Sequence, residues 1–294
     1  MTKNSIAIFG ANGALGAPLL AALESPLFKD KFEKPAILIT RDASGKQDTE
    51  FIRYVSGDLV ADPEKVAEIV KGVDVIVSLL TFSPEVAIAA EKVVFLVKPK
   101  VYIPSQFGGD ISKLQDVFPG FLVEKDLHSE GLRSKGIKVV DILTNVFAGG
   151  PWIYEINAHF GIDTESKSVT YIGSPDAKVS FTHLDDVGRV IAAVAVRDPS
   201  ELPDKLLVQS GVVTPAEVAK LWETRHDTKL AVKTPIPAEV ALEDAKKDWA
   251  ENGFQFEKFF HYSQVLIGNG YVYLETDDNE FINPGQSLWK WKSF

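Results

Sequence analysis

The sequence predicts an α/β protein built on a doubly wound parallel sheet, with a smaller, partly interleaved C-terminal region. Three observations carry this. Apolar, strand-length runs alternate with helix-length segments through the first half of the chain. The strand runs are nearly continuous in apolar residues, as buried parallel strands are. The first run, Ser5–Phe9, ends in a turn with glycines at Gly10, Gly13 and Gly16, and a helix-like segment follows.

Each element has its own signal. Ala14–Glu24 reads as a helix with Pro18 in its first turn, where proline is tolerated. Ala36–Thr40 and Phe51–Val55 are strands, the latter stopped by Ser56-Gly57-Asp58. Asp62 caps a helix that Pro63 opens and that runs to Lys71. Asp74–Leu79 is a fourth strand, Pro84–Val97 a helix and Val101–Pro104 a fifth strand. Phe121–Lys135 is helical and Ile137–Leu143 is a sixth strand.

The pattern loosens after Asn145. Ser168–Ile172 and Ala177–Phe181 are expected to pair as a hairpin across Gly173-Ser174-Pro175. Leu184–Val196 is a helix, Leu206–Gln209 a strand, and Thr214 caps a helix that begins at Pro215. The natural division is 1–150 for the sheet domain and 151–294 for an aromatic-rich substrate-side region.

Composition narrows the function. The chain has 294 residues, 45% hydrophobic and 24% charged, which suits a globular protein with a sizeable core. A net charge of −10 disfavours nucleic acid as a partner. There is no cysteine, so disulfides, thiolate metal sites and a cysteine nucleophile are excluded. No signal-peptide pattern opens the chain, and no run reaches the roughly 18 uninterrupted apolar residues of a membrane helix. A cytoplasmic monomer or homodimer acting on a small molecule is the expectation, with no metal, since no metal-binding spacing occurs.

Glycines at this spacing, after a strand and before a helix, point to a dinucleotide. The first permits the tight turn, the second lets backbone approach a pyrophosphate, and the third lets the helix pack on the sheet. The helix N-terminus then offers N–H groups and a positive dipole end to the anion. Gly10, Asn12, Gly13, Ala14, Leu15 and Gly16 are the expected pyrophosphate contacts. After the second strand, Arg41 sits where a cation would meet a 2′-phosphate, and Lys46 can add a second charge. This favours NADPH, whereas Asp42 in the acidic role would favour NAD. Asp58 is placed for the adenine edge or for a turn cap, and Leu80, Thr81 and Phe82 for the nicotinamide end.

Short-chain reductases ordinarily use a tyrosine with a lysine four residues later. None of the seven tyrosines has one. The run Val101-Tyr102-Ile103-Pro104-Ser105-Gln106-Phe107-Gly108-Gly109-Asp110 instead resembles the PSEFG stretch of the NmrA-like, isoflavone-reductase-like atypical short-chain reductases. Phenylcoumaran benzylic ether reductases and eugenol synthases belong to that group. Lys125 stands eleven residues before Gly136-Ile137, the spacing of that family's lysine. Thr144-Asn145-Val146-Phe147 is similar to its pocket-mouth segment, and Phe181–Gly188 to its downstream turn into a helix.

The resemblance implies a reductase that takes hydride from NADPH, with Lys125 handling the proton or holding cofactor and substrate. Ser105, Gln106, Phe107, Asn145 and Phe147 would lie at the cofactor, and Phe82, Phe107, Phe147 and Trp152 at the substrate. A carbonyl, enone, quinone or phenylpropanoid-like molecule is the expected substrate class. Gln106 departs from the family's Glu. The alternative is a regulator of the NmrA type that binds NAD(P) without reducing anything. A sugar-nucleotide epimerase would need the missing Tyr–Lys pair. Among the histidines, His128, one turn after Lys125 on a similar face, is expected at a solvated helix position or supporting the site from behind, His183 as a cap or in packing, and His261 in core.

Overall fold

The computed structural model describes residues 3–149 and 158–294. Its centre is a five-stranded parallel sheet of β1 (Asn4–Phe9), β2 (Phe32–Thr40), β3 (Ile52–Ser56), β4 (Val75–Ser78) and β5 (Val101–Ile103), in the order β3-β2-β1-β4-β5. Tyr102 continues the sheet: its N–H donates to the Lys138 carbonyl and its own carbonyl accepts from Val140 N–H. Beyond it, β6 (Asp141–Leu143) pairs in parallel with β11 (Lys205–Leu207). The predicted strand 137–143 is thus regular only in its last three residues.

Period-two alternation explains the layers. On β1, Ile6 and Ile8 face a core shared with α1 (Gly16–Glu24) and α5 (Leu184–Ala195). Ala7 and Phe9 face a second core with α2 (Pro63–Ile69), α3 (Pro84–Val97) and α4 (Val123–Ser134). Helices therefore cover both faces, as the sequence predicts. Asp62 and Ser83 cap α2 and α3 through their side chains, each helix opening on a proline. The α1–α5 contact is close because Gly188 lacks a side chain; a Cβ there would stand 2.4 Å from the Pro18 carbonyl carbon.

The later chain does not form the predicted hairpin. β9 (Ser168–Val169) pairs with β8 (Ile162–Asp163) and β13 (Ala231–Val232). β10 (Val179–His183) pairs with β7 (Val146–Ala148) and β12 (Gly211–Val213). Gly-Ser-Pro correctly marks a turn but does not say which edges meet. The buried Val179 and Phe181 gain more as the centre of a separate sheet, against Val218 and Trp222 of α6 (Pro215–His226). Thr214 caps α6 in a reciprocal capping box with Glu217. Next, α7 (Ala238–Asn252) and α8 (Phe259–Gly268) close on an aromatic cluster of Phe118, Trp249 and Tyr262. The chain then returns to the first core, where Ile282 and Trp289 are buried.

Candidate active site

Three carboxyl ends of neighbouring strands meet beside the glycine turn: Ser78–Leu80 after β4, Pro104–Gln106 after β5, and Thr144-Asn145 after β6. This is the edge at which open α/β sheets bind ligands.

The three glycines of the turn sit in different surroundings. Gly10 has φ +84°, and a Cβ on it would fall 3.0 Å from Leu80 N. Gly16 packs so tightly that a Cβ would lie 1.8 Å from the Ala11 carbonyl oxygen. Gly13 is exposed, and the nearest atom to a Cβ there would be 3.8 Å away. No side chain caps α1, and its first turn holds no acidic residue. Asn12 ties this turn to the end of β2, with Nδ2 donating to Thr40 Oγ1 at 3.4 Å and Oδ1 accepting from Lys46 Nζ at 3.4 Å. Arg41 is exposed on the same loop. Asp58 Oδ1 accepts from the N–H groups of Val60 and Ala61 at 3.0 Å each, a turn-capping arrangement.

Beside the turn lies a cleft with Leu80, Phe82, Val86 and Pro104 as apolar walls and Lys125 at its side. Lys125 is half-buried, donates from Nζ to the Ser105 carbonyl at 3.0 Å, and lies 5.9 Å from the Phe82 ring centre. Burial pulls its pKa below the ordinary lysine range, opposed by the charge of Asp126. The side chain of Gln106 is buried and donates to Asp126 Oδ1 at 2.8 Å. Burial raises the Asp126 carboxyl.

Several expected residues are not among those that line the cleft. Phe107 is buried in the first core with Ile103 and Ile142, not in the cleft wall. Phe147 packs at the edge of the same core. Thr81 is exposed. Asn145 takes a left-handed φ of +54° and receives Gly109 against its Oδ1, while its buried Nδ2 has no hydrogen-bond partner among the described residues. Trp152 lies outside the described residues. Thr144 Oγ1 donates to the Phe107 carbonyl at 2.8 Å and so holds the Ser105–Gly109 turn in place.

His128 does not take the solvated position. It is buried, with Nδ1 3.0 Å from Glu91 Oε1 of α3 and Nε2 3.3 Å from the Tyr102 hydroxyl. Burial pushes the Tyr102 phenol well up. The missed signal was the stripe Lys125, His128, Ser129 and Leu132, at the spacing of one helix face. Polar residues at core-facing positions need partners, which here come from other elements. His261 is exposed rather than core. His183 caps α5, its Nδ1 accepting from Asp185 N–H at 3.2 Å. Among the described residues, no helix is long and apolar enough to cross a membrane, and no three His, Asp or Glu side chains cluster to hold a metal.

Comparison with solved structures shows the same fold at low identity. AtPrR2, solved with NADP+ and (+)-pinoresinol, is 20% identical with a TM-score of 0.70, over 95% of this chain and 93% of that one. An isoflavone reductase is 21% identical with a TM-score of 0.69, over 95% and 94%. Leucoanthocyanidin reductase from Vitis vinifera, solved with NADPH, is 20% identical with a TM-score of 0.66, over 92% and 89%. No curated protein matches the sequence. The sequence pattern of the NmrA-like family matches residues 2–271, so with its glycine turn, its Ser105–Gly109 segment and its lysine the chain belongs to the NmrA-like family.

Proposed function

We propose that this protein is an NADPH-dependent reductase of a small, largely apolar carbonyl, enone, quinone or phenylpropanoid-like substrate. One observation carries the reading: a desolvated lysine, Lys125, opens on an apolar-walled cleft next to the glycine turn. The relatives solved with NADP+ or NADPH support the choice of cofactor.

The residues fit that cofactor. Gly13 leaves room at an uncapped helix N-terminus, where a pyrophosphate would sit. Arg41 and Lys46 are the cations for a 2′-phosphate. Leu80, Phe82, Ser105 and Gln106 would border the nicotinamide end, and Asn145 Nδ2, without a partner among the described residues, is a donor left over after β6. When bound, the reduced nicotinamide supplies a hydride.

The protein must supply the proton. The Ser105 carbonyl holds the Lys125 ammonium at one point of the cleft wall, and the lowered pKa makes its proton easier to give to a developing oxyanion. The apolar walls exclude water from that exchange.

The test follows NADPH oxidation by the nicotinamide absorbance against enones, quinones, aldehydes and phenylpropanoids. Lys125→Ala is expected to bind NADPH as the wild type does and to turn over about a hundred- to ten-thousandfold more slowly. Unchanged turnover in Lys125→Ala would remove the lysine from the mechanism. A wild type that binds NADPH tightly and reduces nothing would favour a redox-sensing regulator instead.

A further inference from the structure

Lys46 lies on the loop between β2 and β3 and is exposed, yet two groups hold its ammonium in place. Nζ lies 5.8 Å from the centre of the Tyr54 ring and 3.4 Å from Asn12 Oδ1. Tyr54 stands on β3 and is half-buried against the first core, so its ring cannot swing away from the lysine. The Asn12 carboxamide has one orientation. Thr40 Oγ1 donates to the Asp42 carbonyl at 3.3 Å and so accepts from Asn12 Nδ2, which leaves Oδ1 to face Lys46.

The acids of the same loop are engaged elsewhere. Asp42 Oδ1 accepts from the Ser44 N–H at 2.8 Å, Asp48 Oδ1 accepts from the Tyr54 N–H at 2.9 Å, and Glu50 pairs with Lys34. Ala43 N–H donates to Ser56 Oγ at 3.0 Å and ties the loop to β3 a second time. Among the described residues, neither Arg41 nor Lys46 pairs with a carboxylate. In a chain of net charge −10, two cations without acidic partners on one loop suit a phosphate dianion.

We propose that Tyr54 determines cofactor specificity by keeping the Lys46 ammonium ready for a 2′-phosphate, an inference that rests on the NADPH reading above. A lysine has a long flexible stem, and ordering it on a ligand lowers affinity. Here the stem is ordered before the ligand arrives. The ring face attracts the ammonium without supplying a counter-charge, so the whole positive charge stays available to the phosphate. A carboxylate in the same place would hold the lysine as firmly but would repel the phosphate. NADH has no 2′-phosphate and gains nothing from Lys46. Tyr54 is therefore a positioning residue that acts through Lys46 on the difference between the two nucleotides.

The experiment titrates NADPH and NADH into the full chain by fluorescence. Tyr54→Leu keeps an apolar body on β3 and removes the ring face, whereas Tyr54→Phe keeps the face and removes only the hydroxyl. Tyr54→Leu should weaken NADPH about two- to fivefold and leave NADH unchanged, and Tyr54→Phe should match the wild type for both. In a Lys46→Ala background, Tyr54→Leu should cause no further loss of NADPH affinity. A second readout needs no variant of Tyr54 and no nucleotide: proton NMR of the wild type should show the Lys46 side-chain methylenes shifted upfield by the ring. Ordinary lysine shifts would overturn the proposal. Equal losses for both nucleotides, additive losses with Lys46→Ala, or a loss in Tyr54→Phe as large as in Tyr54→Leu would each do the same. A wild type that binds NADPH no tighter than NADH overturns the NADPH reading and the proposal with it. A wild type that prefers NADPH, with Tyr54→Leu unchanged, overturns the proposal alone.

Discussion

The Gln106 carboxamide nitrogen lies 2.8 Å from Asp126 Oδ1, while the carbonyl of the preceding residue, Ser105, accepts from Lys125 Nζ at 3.0 Å. Two consecutive residues of the β5 loop thus clamp two consecutive residues of α4, and the lysine is held through both. Glutamate, which the family carries at position 106, would set two carboxyl groups at this contact, where the amide now donates to an acid.

Gln106→Glu should therefore make stability depend on pH. Burial already raises the Asp126 carboxyl, and a second carboxyl would raise one of the pair further. A folded state that holds its proton more tightly than the unfolded chain is favoured at acid pH, and that advantage is lost as pH rises through the folded pKa. The variant should match the wild type near pH 5 and fall behind by about 1–3 kcal/mol near pH 8. Thermal melts across that range decide it, and a pH-independent difference would refute the clamp.

Gly13 and Gly16 should separate binding from folding. Gly16→Ala forces a Cβ to 1.8 Å from the Ala11 carbonyl oxygen and should cost at least about 3 kcal/mol or prevent folding. Gly13→Ala meets nothing nearer than 3.8 Å and should melt within about 0.5 kcal/mol of the wild type. Its methyl group would stand where the pyrophosphate approaches, so NADPH affinity should fall at least about tenfold. Melting curves and fluorescence titrations of the two variants test the contrast.

Arg41 and Lys46 should distinguish NADPH from NADH. Removing both in Arg41→Ala/Lys46→Ala deletes charge-assisted contacts to a 2′-phosphate and should weaken NADPH about tenfold or more, leaving NADH unchanged. Lys46 also touches Asn12, so an equal loss for both nucleotides would mean that these residues only shape the glycine turn.

His159 provides a stability marker away from the cleft. Burial among Phe259 and Phe260 holds its pKa down to about 4, with Ser263 Oγ 2.6 Å from Nδ1. The folded state therefore resists the proton that the unfolded chain takes up near the ordinary histidine value. The stabilisation is complete above about pH 6.5 and is lost as pH falls toward 4, by up to roughly 3 kcal/mol. His159→Gln should flatten that part of the pH–stability curve, and an unchanged curve would show that another group controls it.

The strands and helices of the first half were legible because their burial is set by local patterning: Ile6 and Ile8 alternate with Ala7 and Phe9, and Pro63 and Pro84 each open a helix behind a capping residue. The glycine spacing and the position of Lys125 were legible for the same reason, since both are read along one stretch of chain. The hairpin expected at Ser168–Phe181 was not legible, because pairing depends on which distant edge buries Val179 and Phe181 best. The burial of His128 was not legible because its partners, Glu91 and Tyr102, are 37 and 26 residues away.

By itself, then, the sequence determined the doubly wound architecture, the glycine turn and the lysine, through signals that repeat or cap within a few residues. The tertiary structure alone decided that Lys125 is half-buried, that Gln106 bonds Asp126, that Phe107 lies in the core, and that the His128 imidazole at the cleft bonds both the Glu91 carboxylate and the Tyr102 phenol. Desolvation and hydrogen bonding between separate elements depend on which surfaces the folded chain brings together, and no local pattern records that choice.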